Sequence, residues 1–170
     1  MYKTTIINFS VSDTYQAHRI IAAYFDEQHH TWRKDGETVI VLSEAEPAGE
    51  LTEGTSLGTC EITEVTEGKK FPIILRVSAC KHLGNHKYQQ IPAQDVEAWL
   101  KSKMLGLRLT FVRSVPSATI KTTKGMHTIT VSGYEIGAIA CVEDVALAQQ
   151  TLSNGIGRAR RFGFGMILSI

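Results

Sequence analysis

The order of strand-like and helical patterns restricts the fold of this 170-residue chain more than any other feature. An apolar, β-branched run at residues 3–9 predicts a strand, and residues 13–25 carry the three-to-four-residue apolar spacing of a helix. Residues 31–34 and 38–42 flank an Asp-Gly pair and predict a hairpin. A less regular alternation at residues 57–65 predicts one more half-buried strand.

The rest of the chain repeats this order and extends it. Pro92 suits the first turn of a helix, and the apolar residues that follow it share one helical face. The predicted elements are a strand at 71–79, a helix at 92–105, strands at 107–115 and 126–134 with more extended chain up to residue 141, a helix at 142–154 and a strand at 166–170. In the first part, the acidic segment 44–56 contains proline and glycines and predicts a loop where a second helix would otherwise stand.

Two such units in tandem indicate an α+β fold of two tandem ferredoxin-like (RRM-like) domains with antiparallel sheets. We place the boundary near Gly68, which gives an N-terminal domain of residues 1–68 and a C-terminal domain of residues 69–170. Sheets of this kind bind RNA in many proteins, but a fold alone does not determine a function.

The C-terminal segment combines glycines with arginines. These residues are Gly155, Gly157, Arg158, Arg160, Arg161, Gly163 and Gly165. Glycine lets backbone N–H groups approach a ligand closely, and arginine adds a planar fork of donors that matches phosphate. A loop built from both is suited to binding a polyanion.

The direction of this loop narrows the class of ligand. It follows a predicted helix and precedes a strand, whereas phosphate loops for ATP or NAD run from a strand into a helix N-terminus. A nucleic-acid backbone is therefore favoured over a nucleotide. The alternative is that the glycines form turns and a helix C-cap at Gly155, with the arginines simply solvated.

The charges of the chain are unevenly distributed although its net charge is only +1. Residues 35–67 hold nine acidic residues and neither lysine nor arginine, whereas residues 68–170 hold fourteen Lys and Arg against five Asp and Glu. A basic half that carries an arginine–glycine loop favours a phosphate-rich partner. An acidic partner protein is the alternative.

Three widely spaced cysteines, Cys60, Cys80 and Cys141, are typical of reduced residues in a cytoplasmic protein. The sequence contains no apolar run of membrane-spanning length and no signal-peptide pattern. We therefore expect a cytoplasmic protein that does not contact a membrane.

His18 and Tyr15 on the first predicted helix are the candidate catalytic residues. The apolar stripe of this helix must face the core, and His18 falls roughly 110° from its centre, with Tyr15 one turn earlier on the same accessible side. An imidazole can give or take a proton at neutral pH, and RNA supplies its own nucleophile, the 2′-hydroxyl, so no metal is needed. Tyr15 can orient that hydroxyl or share the proton transfer. The alternative is an ordinary surface histidine.

A metal site is less well supported. Cys80, His82 and His86 have a Cys-x-His-x₃-His spacing, but Gly84-Asn85 predicts a turn between the histidines and no second ligand pair lies nearby. We expect neither a metal nor another cofactor. The segment 81–88 instead favours a basic loop with one aromatic residue for base stacking. His29-His30 predicts a solvated turn.

The tail GIGRARRFGFGMIL, residues 155–168, resembles the C-terminal glycine-rich loop of the RAMP superfamily. Together with Tyr15-Gln16-Ala17-His18 it resembles the CRISPR repeat-processing endoribonucleases of the CasE type, from type I-E-like systems. The similarity extends to Met1-Tyr2, to the strand at 71–81, to Ala98-Trp99-Leu100 and to residues 152–170.

That resemblance implies two tandem ferredoxin-like domains that bind a stem-loop of precursor CRISPR RNA and cut it without metal at the 3′ base of the hairpin. The expected ends are a 5′-hydroxyl and a 2′,3′-cyclic phosphate, with His18 as the catalytic histidine and Tyr15 as its helper. The stretch between Lys81 and Pro92 is short for the family, so a reduced groove-contacting hairpin is expected, with Lys81 and Lys87 as its RNA contacts.

The resemblance also implies that the mature CRISPR RNA stays bound and that the protein joins a Cascade-like effector complex. Arg158, Arg160 and Lys81 are the candidates for stabilising the transition state. A non-catalytic RNA-binding or scaffold subunit of a CRISPR ribonucleoprotein would carry the same sequence features and is the alternative.

Overall fold

The computed structural model describes residues 1–62, 65–85, 87–117, 119–124 and 126–169. Twelve strands, three α-helices and two 3₁₀ turns make up this part of the chain. In chain order they are β1 (Tyr2–Ile7), α1 (Thr14–Tyr24), β2 (His30–Asp35), β3 (Thr38–Ser43), β4 (Thr55–Glu61), β5 (Lys70–Val77), β6 (Cys80–His82), β7 (Tyr88–Gln90), a 3₁₀ turn (Ala93–Asp95), α2 (Val96–Lys101), β8 (Leu107–Pro116), β9 (Ile120–Lys124), β10 (His127–Val131), β11 (Tyr134–Val142), α3 (Val145–Asn154), a second 3₁₀ turn (Arg160–Phe162) and β12 (Ile167–Ser169).

The two main sheets share one topology. The first has the order β2-β3-β1-β4 and the second the order β12-β5-β11-β8, and all their pairings are antiparallel. Counted within each sheet, the order is fourth, first, third, second strand, which is the ferredoxin-like arrangement. The predicted fold of two tandem ferredoxin-like domains is confirmed. The boundary after residue 68 falls in the connection between β4 and β5 and stays a prediction.

Each sheet buries the face that its helices cover, because alternate residues of a strand point to opposite faces. In the first domain Ile6, Val39 and Val41 of the sheet pack against Ile21 of α1 and against Phe25, which directly follows this helix. In the second domain the corresponding set joins β5 and β11 to α2 and α3. Its central members are Phe71, Ile73, Leu75, Val77, Val96, Leu100, Ile136, Ala148 and Leu152.

The opposite faces of the two sheets meet in a smaller apolar cluster. Leu42 of β3 packs there with Met166 and Leu168, and Ile40 and Ile74 contact the cluster from their strands. The domains are therefore joined by a hydrophobic contact.

Four charged side chains also connect the domains. Arg33 on β2 bonds Asp35 at 2.6 Å and Glu135 of β11 at 3.0 Å, while Arg76 of β5 bonds the same two carboxylates. Burial raises the pKa of Asp35, but the hydrogen bond and charge of Arg33, followed by those of Arg76, outweigh it and hold that pKa below its usual value.

The two helices of the second domain differ from the predicted ones at their boundaries. The predicted helix at 92–105 is a 3₁₀ turn followed by an α-helix that ends at Lys101. The helix predicted from residue 142 begins at Val145, because Val142 is still paired in β11 and the Asp144 carboxylate caps the helix at the Leu147 N–H.

β6 pairs with β7, and this short hairpin lies where the family resemblance led us to expect one, between Lys81 and Pro92. The predicted strand at 126–134 contains β10, but its hairpin with β9 was not predicted. The third strand of the second sheet is instead β11, which begins at Tyr134 and ends at Val142. Residues 63 and 64 of the strand predicted at 57–65, and residue 170 of the last predicted strand, lie outside the described residues. No helix in the described part of the chain is long and apolar enough to cross a membrane.

Candidate active site

The N-terminus of α1 is held by a side-chain cap and by β9. The Asp13 carboxylate accepts hydrogen bonds from the Gln16 N–H at 2.8 Å and from the Thr122 hydroxyl at 2.7 Å. The same Thr122 oxygen accepts a bond from the Tyr15 N–H at 3.3 Å. The Thr122 bond, followed by the Gln16 bond, lowers the pKa of Asp13. The second domain thus fixes the helix that carries the candidate catalytic residues.

His18 lies beside the buried stripe of α1, half-exposed, as the helical spacing predicts. It lines a cleft of about 360 Å³ together with His30 of β2 and with Arg160 and Arg161 of the second 3₁₀ turn. The structure therefore brings the predicted histidine and two of the predicted arginines together.

The surroundings of His18 favour its neutral form. Burial lowers its pKa, and the neighbouring His30 and Arg161 lower it further, with only Glu27 acting in the opposite direction. Its Nδ1 atom is buried and has no hydrogen-bond partner among the described residues. A hydrogen bond from Nδ1 would stabilise the charged ring more than the neutral one, and His18 lacks this stabilisation.

Tyr15 occupies a different place from His18. It is half-buried on the first turn of α1, and it is absent from the described residues that line the His18 cleft. The structure does not bring it to the same cavity, so its helper role stays a prediction.

The glycine-rich segment folds as a loop bonded to itself and to β5. The Gly155 N–H donates to the Thr151 carbonyl and ends α3, and the Ile156 N–H donates to the Gly165 carbonyl at 2.9 Å. The Gly165 N–H in turn donates to the Arg76 carbonyl at 2.6 Å. The loop is thereby anchored along the strand at the centre of the second domain.

The protein itself explains why glycine is needed at two of these positions. Gly155 and Gly165 have φ angles of +64° and +83°, and a Cβ at either would collide with the backbone carbonyl of Gly165 or of Ile156. Gly163 and Gly165 are buried, and Gly155 and Gly157 are half-buried. These facts agree with the interpretation of the glycines as turn and cap residues, and their contact with RNA stays a prediction.

The arginines of the loop are exposed and differ in their contacts. The Arg158 guanidinium carbon lies 3.1 Å from the ring centre of Tyr88, and the ring centre of His82 lies 4.8 Å from that of Tyr88. The Arg160 guanidinium donates to the Asn154 carbonyl at 2.8 Å. Arg161 acts on His18 through its charge.

A groove of about 770 Å³ runs beside the loop. Its walls include Tyr88 and Gln90 of β7, Ser132 after β10, and Arg158. Arg160 and Arg161 line both this groove and the His18 cleft, so the two cavities are adjacent. The predicted RNA contacts Lys81, on β6, and Lys87, just before β7, are exposed. Neither is among the described residues that line the groove or the His18 cleft.

Within the described residues, no group of three or more His, Cys, Asp or Glu side chains is placed to share a metal ion. Cys80 is half-buried on β6 with its sulfur 3.6 Å from the Ser78 hydroxyl, and the His82 ring packs against the Tyr88 ring at a tilt. His86, the third residue of the candidate zinc spacing, lies outside the described residues.

Sequence reasoning missed His30, which it assigned to a solvated turn. That assignment is wrong: His30 is the half-buried first residue of β2, and its ring stacks on Phe25 with 5.7 Å between ring centres. The sequence gives little sign of this position, because the His30 ring is held by tertiary contacts. These contacts come from Phe25 and the Gln28 carbonyl, both in the connection that precedes β2.

Several solved structures share this fold over almost the whole chain. The CRISPR endoribonuclease Cse3 bound to a 19-nucleotide RNA has 17% identity and a TM-score of 0.86, covering 100% of each chain. The CRISPR-associated protein Cas6e of Escherichia coli K-12 has 19% identity and a TM-score of 0.81, covering 99% of this chain and 98% of that one. A chain of a CRISPR RNA-guided surveillance complex has 15% identity and a TM-score of 0.77, with coverage of 99% and 98%.

At such identities these structures establish a shared fold. A comparison with proteins of curated function found no match. The sequence itself matches the family model of CRISPR-associated proteins over residues 5–170. Because that match spans both sheets, the glycine-rich loop and the His18 helix, the chain belongs to the CRISPR-associated protein family.

Proposed function

We propose that this protein is a metal-independent endoribonuclease that binds the stem-loop of a CRISPR repeat in precursor CRISPR RNA and cuts it. The single observation that carries the proposal is the cleft in which His18 meets Arg160 and Arg161. A proton-transfer group beside two fixed positive charges is what cleavage of a phosphodiester by its own 2′-hydroxyl requires.

The chemistry needs three things from the chain. The 2′-oxygen must be aligned with the phosphorus, protons must leave that oxygen and reach the 5′-oxygen, and the negative charge of the phosphorane must be offset. His18 serves the proton transfer, and Arg160 and Arg161 carry the charge that faces the phosphate. The products are a 2′,3′-cyclic phosphate and a 5′-hydroxyl.

The adjacent groove is suited to the RNA on either side of the cut. Arg158 is exposed over the Tyr88 ring, and Arg160 and Arg161 continue the positive wall towards the cleft. Phosphate charge supplies most of the affinity for RNA, and an arginine held on an aromatic ring presents a flat surface to an unpaired base. The proposed RNA surface also includes Lys81 and Lys87. The loop glycines contribute to it by allowing the backbone conformation of the loop.

The related structures support the same substrate class. Cse3 is an endoribonuclease bound to a short RNA, and the surveillance complex that contains a similar chain is guided by RNA. We extend both properties to this chain: it retains the mature CRISPR RNA after cleavage and joins a Cascade-like assembly. The scaffold alternative predicts binding and assembly without cleavage.

The test uses labelled CRISPR repeat stem-loops incubated with the protein in EDTA. We expect a single cut at the 3′ base of the hairpin, and we expect no cut when the 2′-hydroxyl of the nucleotide before the scissile bond is replaced by hydrogen. A wild-type protein that shifts these RNAs on a native gel without cutting them would establish the scaffold function instead.

A further inference from the structure

His30 is a second imidazole in the His18 cleft. The two ring centres lie 6.0 Å apart, and both side chains line the cavity with Arg160 and Arg161. The Nδ1 atom of His30 is 2.7 Å from the Gln28 carbonyl oxygen. A carbonyl can only accept, so this nitrogen carries hydrogen, and Nε2 is left to exchange a proton with a substrate. No described residue hydrogen-bonds that Nε2.

The two histidines differ in how well they accommodate a positive charge. When Nε2 exchanges the proton, Nδ1 carries hydrogen in both the neutral and the charged ring, and a carbonyl that accepts from it binds the charged ring more strongly. His30 has such an acceptor in Gln28, whereas the buried Nδ1 of His18 has none among the described residues. Burial lowers the pKa of both rings. At His30 the Gln28 bond and Glu27 oppose this effect, and at His18 only Glu27 does.

We propose that His30 is the general acid of the cleavage and that His18 is its general base, an assignment that rests on the function proposed above. His18 Nε2 takes the proton of the 2′-hydroxyl while the 2′-oxygen forms its bond to phosphorus. The bond from phosphorus to the 5′-oxygen breaks, and that oxygen keeps the electron pair and takes the proton of His30 Nε2. His18 ends protonated and His30 neutral, and proton exchange with water restores both.

The charges around the pair are compatible with this division. The other titratable and charged groups that line the cleft are Glu27, His29, Arg160 and Arg161. In the free protein the positive arginines disfavour protonation of either histidine. The negative phosphates of bound RNA favour it. The rate is therefore expected to fall in acid, where His18 becomes protonated, and in alkali, where His30 loses its proton.

The experiment compares two RNAs that differ only in the leaving atom. One is an ordinary repeat stem-loop, and the other carries sulfur in place of the bridging 5′-oxygen at the scissile bond, because a thiolate leaves without a proton. The variant is His30→Asn, whose amide N–H can still donate to the Gln28 carbonyl but cannot transfer a proton. His18→Asn is the matched control, since it removes the proposed base.

We expect His30→Asn to bind both RNAs like the wild type and to cut ordinary RNA about a hundredfold more slowly or worse, with the alkaline fall in rate gone. It should cut the sulfur-containing RNA at close to the wild-type rate, whereas His18→Asn should stay slow on both. A His30→Asn protein that is equally slow on both RNAs, or fully active on ordinary RNA, would overturn the assignment alone. A wild type that cuts neither RNA would overturn the proposed function itself.

Discussion

The two domains share one strand order but contribute different chemistry to the cleft. In the first domain the third and fourth strands are joined by residues 44–54, which form no helix, so α1 is the helix that covers the sheet. In the second domain the same connection is α3, and the arginine-bearing loop follows it back to the fourth strand. The first domain thus supplies the imidazoles and the second supplies the positive charge.

This comparison shows that topology positions a site without determining its chemistry. Both sheets place a helix after their first strand, yet only α1 carries a histidine that faces the neighbouring domain. The second domain reaches that histidine because its loop is tied to the Arg76 backbone and passes over β2. Substitutions in either domain can test this division between imidazoles and positive charge. The expected effects differ in size.

The largest effect is expected from the first domain. His18→Asn should reduce the cleavage rate by about 10²- to 10⁴-fold, because proton transfer to the 2′-oxygen is lost. RNA affinity should be unchanged, since the phosphate-binding charges belong to the second domain. Single-turnover cleavage and equilibrium binding of the same labelled RNA measure both quantities. Equal losses in rate and affinity would show that the helix binds RNA and would remove the division between the domains.

The second effect concerns the shape of the loop. Gly165→Ala should destabilise the fold by about 1–3 kcal/mol, because alanine at φ +83° is strained and its Cβ would collide with the Ile156 carbonyl. Urea unfolding measures the loss. Gly137→Ala is the matched control, since a Cβ there meets nothing within 4 Å.

The loop and its control also separate stability from binding. Under conditions where Gly165→Ala remains folded, we expect it to bind RNA more weakly than Gly137→Ala, because the arginines are carried by the distorted loop. Full RNA affinity in a destabilised Gly165→Ala protein would show that the loop conformation is needed for folding only.

The third effect concerns the charge of the second domain. Changing both Arg158 and Arg160 to alanine should weaken RNA binding and make the slope of log affinity against log salt less steep by about 1.5, as expected for two lost phosphate contacts. Changing Lys101 and Lys103 removes the same charge from α2 and the turn that follows it. If the arginine and the lysine substitutions change the slope equally, the effect comes from net charge, and the loop arginines do not contact the RNA phosphates specifically.

Much of this fold is visible in the sequence because its buried strands alternate. β3 and β5 place every second residue against a helix, and the turn between β2 and β3 carries an Asp-Gly pair. β9 could not be predicted, because its sequence IKTTK is polar and short and its place depends on Thr122 meeting Asp13, a contact between residues far apart in the chain.

The candidate site likewise contains one histidine that the sequence predicts and one that it does not. His18 was predicted because its position on α1 follows from helical spacing and the apolar stripe alone. His30 was not predicted, because a histidine that follows another histidine before a strand carries no sign of the Phe25 ring or of the carbonyl that orients it. Local periodicity determines which face of an element a residue occupies, and tertiary contacts determine what it can do there.

The smallest effect is expected where the second domain holds the helix of the first. Thr122→Val removes the hydroxyl that bonds Asp13 and the Tyr15 N–H, and it should cost about 1 kcal/mol in the free energy of unfolding. Thr122→Ser keeps the hydroxyl and is the control. Because the Thr122 bond lowers the pKa of Asp13, its contribution is present above the pH at which the unfolded carboxyl ionises and is lost as the pH falls through the folded pKa. The difference between wild type and Thr122→Val should therefore shrink in acid. A constant difference at every pH would show that the valine acts through packing, and the hairpin of β9 and β10 would then contribute no polar anchor to α1.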